Sequence, residues 1–211
     1  MSRLFAFGCS HTYGEGQVDC LNYHNEYGET KANNPSQYAW PALLGKILGI
    51  EVVNVGFPGA SNRYIANQIL NTDISKKDIV VILWTEFDRS TVFLKDLETT
   101  KHIRPTDFSK TSNNYYKWVH NPYNSFLESL EAINLANYNL QEHPHVFNFI
   151  VGMRTEENSI FTDYKYPTWH KVDLINQSLH YVDKAADGNH PGPESQKLIA
   201  RDILKGIKFT N

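Results

Sequence analysis

Hydrophobic and polar positions divide the chain into short apolar runs that alternate with helical repeats. Leu4 to Phe7 is a compact apolar run of strand length. Residues 13–35 are polar, with glycines and asparagines, and predict a surface loop. Trp40, Leu43, Leu44, Ile47 and Leu48 then recur at helical spacing. Ser36 is placed to cap that helix, Pro41 sits early enough to be harmless, and Gly49 is the stop. Glu51 to Val55 predicts a second strand and GFPGASN a turn, after which Ser61 can cap a helix carrying Ile65, Ile69 and Leu70. Asp78 to Trp84 predicts a third strand, apolar enough to be covered on both faces as in a parallel sheet.

Beyond Trp84 the pattern weakens. Residues 90–145 are rich in Tyr, Asn, Lys and His, and predict one helix from about Ser125 to Leu140 within an insertion or cap. Val146 to Val151 predicts a fourth strand, 152–170 a loop, and Val172 to Val182 a short helix. Pro193 opens a last helix carrying Leu198, Ile199 and Ile203. Strand alternating with helix predicts an α/β sandwich with a mainly parallel sheet, as one domain over residues 1–211.

Charge and cysteine content narrow the possible partners. The formal charge of −3 gives no reason to expect nucleic acid or an anionic membrane surface. The two cysteines, Cys9 and Cys20, form no CxxC, which argues against a disulfide framework or a zinc ribbon. No apolar stretch approaches the roughly 20 residues that span a bilayer. The N-terminal run is too short for a signal peptide. The expectation is a soluble protein of the cytoplasm, or a virion component, with no cofactor and no metal. His143 and His145 lack the acidic or cysteine ligands that would make a metal site. A phosphate- or flavin-holding loop over Ser10, Thr12, Gly14 and Gly16 lacks regular glycine spacing.

Sites in open α/β sheets form beyond the carboxyl ends of strands. Three predicted strand ends carry marked residues: GCSHT, GFPGASN and TEFDR. A fourth marked stretch, DGNHP, precedes the last helix. Asp187 and His190, three apart in a loop, can set a carboxylate against one imidazole nitrogen and leave the other free. A serine hydroxyl needs such a base to become a nucleophile, and Ser10 is the natural third member. Cys9 is the neighbouring alternative, but adjacent side chains in extended chain point opposite ways, so both cannot face His190.

In these blocks the chain resembles the SGNH/GDSL family of esterases and acylhydrolases. Gly8-Cys9-Ser10 stands for the family's serine block, Asn54-Val55-Gly56-Phe57-Pro58-Gly59 for its N-x-G-x-x-G stretch, and Asp187-Gly188-Asn189-His190-Pro191 for its DxxHP block. The helix WPALLGKILG is similar to a segment common there. The resemblance implies a flavodoxin-like three-layer α/β/α sandwich and a Ser10–His190–Asp187 triad, with the amides of Ser10 and Gly59 as oxyanion donors. The third block departs from the pattern: where the family places an asparagine donor, this chain has Phe87. Asn62 is the first choice to replace it, then Thr85, then Arg89. Thr85, Arg89 and His11 are also candidate substrate contacts.

These residues predict a serine esterase acting on a small acyl ester, preferably acetyl. The aromatic and amide mixture of residues 111–124 suits a carbohydrate substrate. The competing expectation is a non-catalytic member of the same fold, a binding or structural protein such as a component of a phage particle.

Overall fold

The computed structural model describes residues 2–20, 34–93, 100–105, 109–151, 172–175 and 181–207. The first half of the chain forms β1 (Arg3–Gly8), α1 (Ser10–Tyr13), α2 (Trp40–Leu48), β2 (Glu51–Asn54), α3 (Asn62–Leu70) and β3 (Ile79–Trp84). The second half forms β4 (Ser90–Phe93), β5 (Thr100–Ile103), α4 (Lys110–Trp118), α5 (Pro122–Asn139), β6 (Val146–Val151), β7 (Val172–Ile175) and α6 (Pro193–Gly206).

Five strands make one parallel sheet in the order β2-β1-β3-β6-β7, the doubly wound flavodoxin-like order. Successive side chains on a strand point to opposite faces, and the core divides by that parity. Phe5, Phe7, Val80, Ile82 and Trp84 share one apolar cluster with Ile65 and Ile69 of α3 and Phe126 and Ile133 of α5. Leu4, Ala6, Val81 and Leu83 share the other with Trp40 and Leu44 of α2 and Ile199 and Ile203 of α6. The result is a three-layer α/β/α sandwich. β4 and β5 stand apart as an antiparallel pair.

Several local expectations are corrected. Residues 172–175 are strand, not helix: they pair in parallel with β6, from Asn148 opposite Val172 to Val151 opposite Ile175. That pairing satisfies the backbone of an otherwise open sheet edge, which outweighs the weak helical spacing of the segment. Residues 176–180 of the expected helix, the 152–170 loop and residues 21–33 of the first loop lie outside the described residues. Ser36 does not cap α2, whose N-cap is Ala39. Its hydroxyl instead donates to Asp19 Oδ1 (2.6 Å) and accepts from the Tyr38 amide (2.9 Å). The Trp40 amide is met by Gln196 Oε1 of α6 at 2.9 Å. Ser61 does cap α3, accepting from the Tyr64 amide at 3.3 Å. α5 starts three residues before the expected Ser125, because Asn121 accepts from the amides of Tyr123 and Asn124.

The loop before α6 is closed at its base. Gly192, the N-cap of α6, has no side chain, so Asp183 supplies the cap from outside the helix. Its carboxylate accepts from the amides of Glu194 (3.0 Å) and Ser195 (2.8 Å) and from Ser195 Oγ (2.6 Å). Burial pushes the Asp183 carboxyl up, but the bonds from Ser195 and Glu194 outweigh it and the net shift is downward. Asp183→Ala is expected to cost about 1–2 kcal/mol, the usual worth of a helix cap. A carboxyl held below its ordinary value stabilises the fold above that value. The difference between wild type and variant in urea titrations should therefore be present at neutral pH and shrink below about pH 4.

Candidate active site

The sheet order reverses between β1 and β3, and crevices at such points are where open α/β sheets bind ligands. Ser10 follows β1 directly and is the first residue of α1. Two contacts hold this turn in place. Thr12 Oγ1 accepts from Trp40 Nε1 at 3.2 Å, and Asn54 Nδ2 donates to the Thr12 carbonyl at 2.7 Å. Asn54 Oδ1 in turn accepts from the Gly56 amide at 2.9 Å, so one asparagine joins the ends of β1 and β2. Cys9 points the other way, buried in the core cluster with Phe7 and Trp84, as the alternation of side chains requires.

Asp187 and His190 form the expected pair. His190 Nδ1 lies 2.5 Å from Asp187 Oδ2, and Asp187 Oδ1 accepts from the amides of Asn189 (2.9 Å) and His190 (3.1 Å). Burial raises the Asp187 carboxyl, but the bonds from His190 and these amides outweigh it and hold it below its ordinary value. The pair docks on the segment after α1. The Ala186 amide donates to the Gly16 carbonyl (2.9 Å), and Gln17 Nε2 donates to the Pro191 carbonyl (2.6 Å). A Cβ on Gly16 would stand 2.4–2.6 Å from the Asp187 carboxylate atoms, so only glycine leaves the acid its place.

The other nitrogen of His190 does not meet Ser10. Among the described residues no hydrogen bond joins Ser10 Oγ to His190. Glu15 Oε2 instead lies 3.5 Å from His190 Nε2. Glu15 is 7% exposed, and that oxygen has no hydrogen-bond partner among the described residues. Nothing in the spacing of the sequence marks Glu15, because it takes part in no family block. In the triad expected from the sequence, this carboxylate takes the imidazole nitrogen that Ser10 needs. Taken at about 1 kcal/mol, the upper end for an ion pair in reach of solvent, its removal in Glu15→Gln is expected to raise the kcat of such an esterase on an acetyl ester by up to about fivefold. A tenfold fall instead would make Glu15 part of the machinery.

His11 is buried beside the pair. Its Nε2 lies 3.1 Å from the Tyr181 hydroxyl, and its ring stands edge-on to His190 at 6.1 Å. Burial first, then the charges of His190 and Arg89, push its pKa down to about 3. Arg89 is ion-paired with Glu86 at 3.1 Å.

The amides of Ser10 and Gly59 donate no hydrogen bond among the described residues, which leaves both for a ligand. Gly59 adopts φ +76°, a conformation that favours glycine. The side chain of Asn62, expected as a further donor, has its Oδ1 and one N–H bound to the backbone of Thr85. Its Nδ2 donates to the Thr85 carbonyl (3.0 Å) and its Oδ1 accepts from the Thr85 amide (2.8 Å). The buried end of β3 needs partners for these backbone groups, and Asn62 provides them. Phe87 is buried with its ring 5.1 Å from that of Phe126.

The sequence matches no family model and no curated protein. Solved structures do match, at low identity. A lipolytic protein of the G-D-S-L family from Desulfitobacterium hafniense superposes with TM-score 0.53 at 15% identity, over 99% of this chain and 100% of that one. A carbohydrate esterase whose active site displays divergent catalytic and non-catalytic binding functions gives 0.56 at 14%, over 100% of this chain and 69% of that one. An acetyl xylan esterase from the rumen bacterium Butyrivibrio proteoclasticus gives 0.54 at 13%, over 97% and 63%. The chain thus has the SGNH/GDSL hydrolase fold. Among the described residues no helix is long and apolar enough to cross a membrane.

Proposed function

We propose that the protein is a serine esterase that removes a small acyl group, acetyl in the first instance, from a carbohydrate. The observation that carries this reading is the bonded Asp187–His190 pair docked against the segment that follows Ser10. Ser10 Oγ forms a bond to the ester carbonyl carbon while His190 Nε2 takes its proton. The carbonyl π pair moves onto oxygen, where the amides of Ser10 and Gly59 receive it. Collapse breaks the bond to the alcohol, which leaves with the proton from His190, and water then repeats the sequence on the acyl-serine. For this to occur His190 Nε2 must exchange Glu15 for Ser10.

Acetylated carbohydrate is supported by the acetyl xylan esterase among the structural neighbours and by the exposed Trp118 and Tyr123, which offer stacking surface. The test is acetate release from acetylated xylo-oligosaccharides beside p-nitrophenyl acetate. A pre-steady-state burst of p-nitrophenol equal to the enzyme concentration supports an acyl-enzyme, and its absence opposes one.

The second reading is a non-catalytic binding protein on this fold. It is favoured by one observation, that Glu15 rather than Ser10 stands at His190 Nε2. It predicts binding of the oligosaccharide with no release of acetate.

A further inference from the structure

The oxyanion site lacks its usual third donor, and the structure brings a different group to the same turn. Arg104 follows β5 directly, and its side chain lies across the face of Gly59. A Cβ on Gly59 would stand 3.3 Å from Arg104 Cδ and 3.5 Å from its Nε. The Nε is buried and has no hydrogen-bond partner among the described residues. No carboxylate of the described residues pairs with Arg104, whereas Arg89 nearby is held by Glu86. A buried donor without an acceptor costs about 1–3 kcal/mol, so a fold that keeps one implies a partner that arrives later. At this place the arriving acceptor is the oxygen that becomes negative when an ester is attacked.

We infer that Arg104 is the third oxyanion donor of this protein, supplied by the β4–β5 pair in place of the asparagine that Phe87 replaces. The assignment rests on the esterase reading given above. Two observations carry it, the contact with Gly59 and the unpartnered Nε, and Asn62, the other candidate, already has its Oδ1 and one N–H bound to the Thr85 backbone. His102, two residues earlier, keeps the turn in register. It shares a hydrogen bond with Thr91 Oγ1 at 3.0 Å, and Thr91 accepts from Ser61 Oγ at 2.7 Å. A guanidinium donor also carries full charge, so it strengthens as the oxyanion forms and acts on the transition state more than on the bound ester.

The experiment compares wild type, Arg104→Gln and Arg104→Lys on p-nitrophenyl acetate, whose acyl group is uncharged, and on p-nitrophenyl hemisuccinate, whose acyl group is anionic. Each protein is first checked by its thermal unfolding. Arg104→Gln is expected to lower kcat on both esters by about 10²–10³, with KM little changed. Arg104→Lys should keep the charge but not the planar donor and fall between the two. Added guanidinium at millimolar concentration should restore part of the rate to an Arg104→Gly variant. If Arg104→Gln keeps the wild-type kcat on acetate, the assignment is overturned. A loss confined to the hemisuccinate overturns it too and makes Arg104 a selector of anionic acyl groups. Should Arg104→Gln fail to fold, Arg104→Lys decides alone, an unchanged kcat counting against the inference. A wild-type protein that neither hydrolyses ester nor takes an acyl group on Ser10 overturns the esterase reading itself, and the Arg104 assignment falls with it.

Discussion

Ser10→Ala is expected to lower the kcat of ester hydrolysis by about 10⁶, with the fold intact. Ser10 is buried at the end of β1, and its hydroxyl makes no hydrogen bond among the described residues; the turn is held by Thr12, Trp40 and Asn54. Removing the nucleophile of a serine triad costs about 10⁶ in kcat where this has been dissected, because the remaining members cannot act without it. The thermal unfolding of Ser10→Ala should stay close to that of wild type, because alanine removes one oxygen and leaves no buried polar group without its partner. Cys9→Ala should behave in the opposite way: it opens a small void among Phe7, Trp84 and their neighbours, so it lowers stability and leaves kcat near wild type. If Cys9→Ala abolishes turnover and Ser10→Ala does not, the nucleophile is the thiol.

The second large effect is on stability in mild acid. His11 and His102 are both folded in neutral form. Burial first, then His190 and Arg89, take His11 to about 3, and burial first, then Arg104 and Arg89, take His102 to about 4. In the unfolded chain both bind a proton below about pH 6.5. Groups whose folded values are depressed stabilise the fold above the unfolded value and lose that contribution as pH falls. Stability should therefore decline from about pH 6.5 and continue towards pH 4, at up to roughly 1.4 kcal/mol per pH unit for each histidine. By pH 4.5 the loss is on the order of 5 kcal/mol, comparable with the whole stability of a small domain. Urea titrations between pH 7.5 and 4.5 measure it. His102→Gln should reduce the slope by about one proton, and a flat profile in the wild type contradicts the burial of neutral imidazoles.

The sandwich was legible because its strands are short apolar runs with turn residues at their ends. Leu4 to Phe7 and Ile79 to Trp84 bury both faces, which leaves little alternative to a central parallel strand. β7 was misread, since four residues with apolar side chains at 172, 174 and 175 fit a helix turn as well as a strand; pairing with β6 decides between them. The β4–β5 pair and α4 were missed for a related reason. β4 and β5 bond to each other, the Tyr116 hydroxyl ties α4 to them through the carbonyls of Asp88 and Ile103, and no local period records such bonds.

In the site, Asp187 and His190 were readable because they lie three positions apart in one loop. Glu15 and Arg104 were not. Each matters through what the tertiary fold sets beside it, the imidazole of His190 in one case and the bare face of Gly59 in the other. Asn62 shows the converse: an amide at a suggestive position in the sequence binds, through its Oδ1 and one N–H, the backbone of Thr85, which the sequence places 23 residues away.

Intact and peptide mass spectrometry after treatment with a fluorophosphonate tests whether Ser10 is a nucleophile activated by His190. An activated serine displaces fluoride and keeps the phosphonyl group, whereas an ordinary serine does not react. One adduct per chain is expected, on the peptide containing Ser10, formed slowly or not at all in His190→Ala. A protein left unmodified, or modified equally well in His190→Ala, would contradict it.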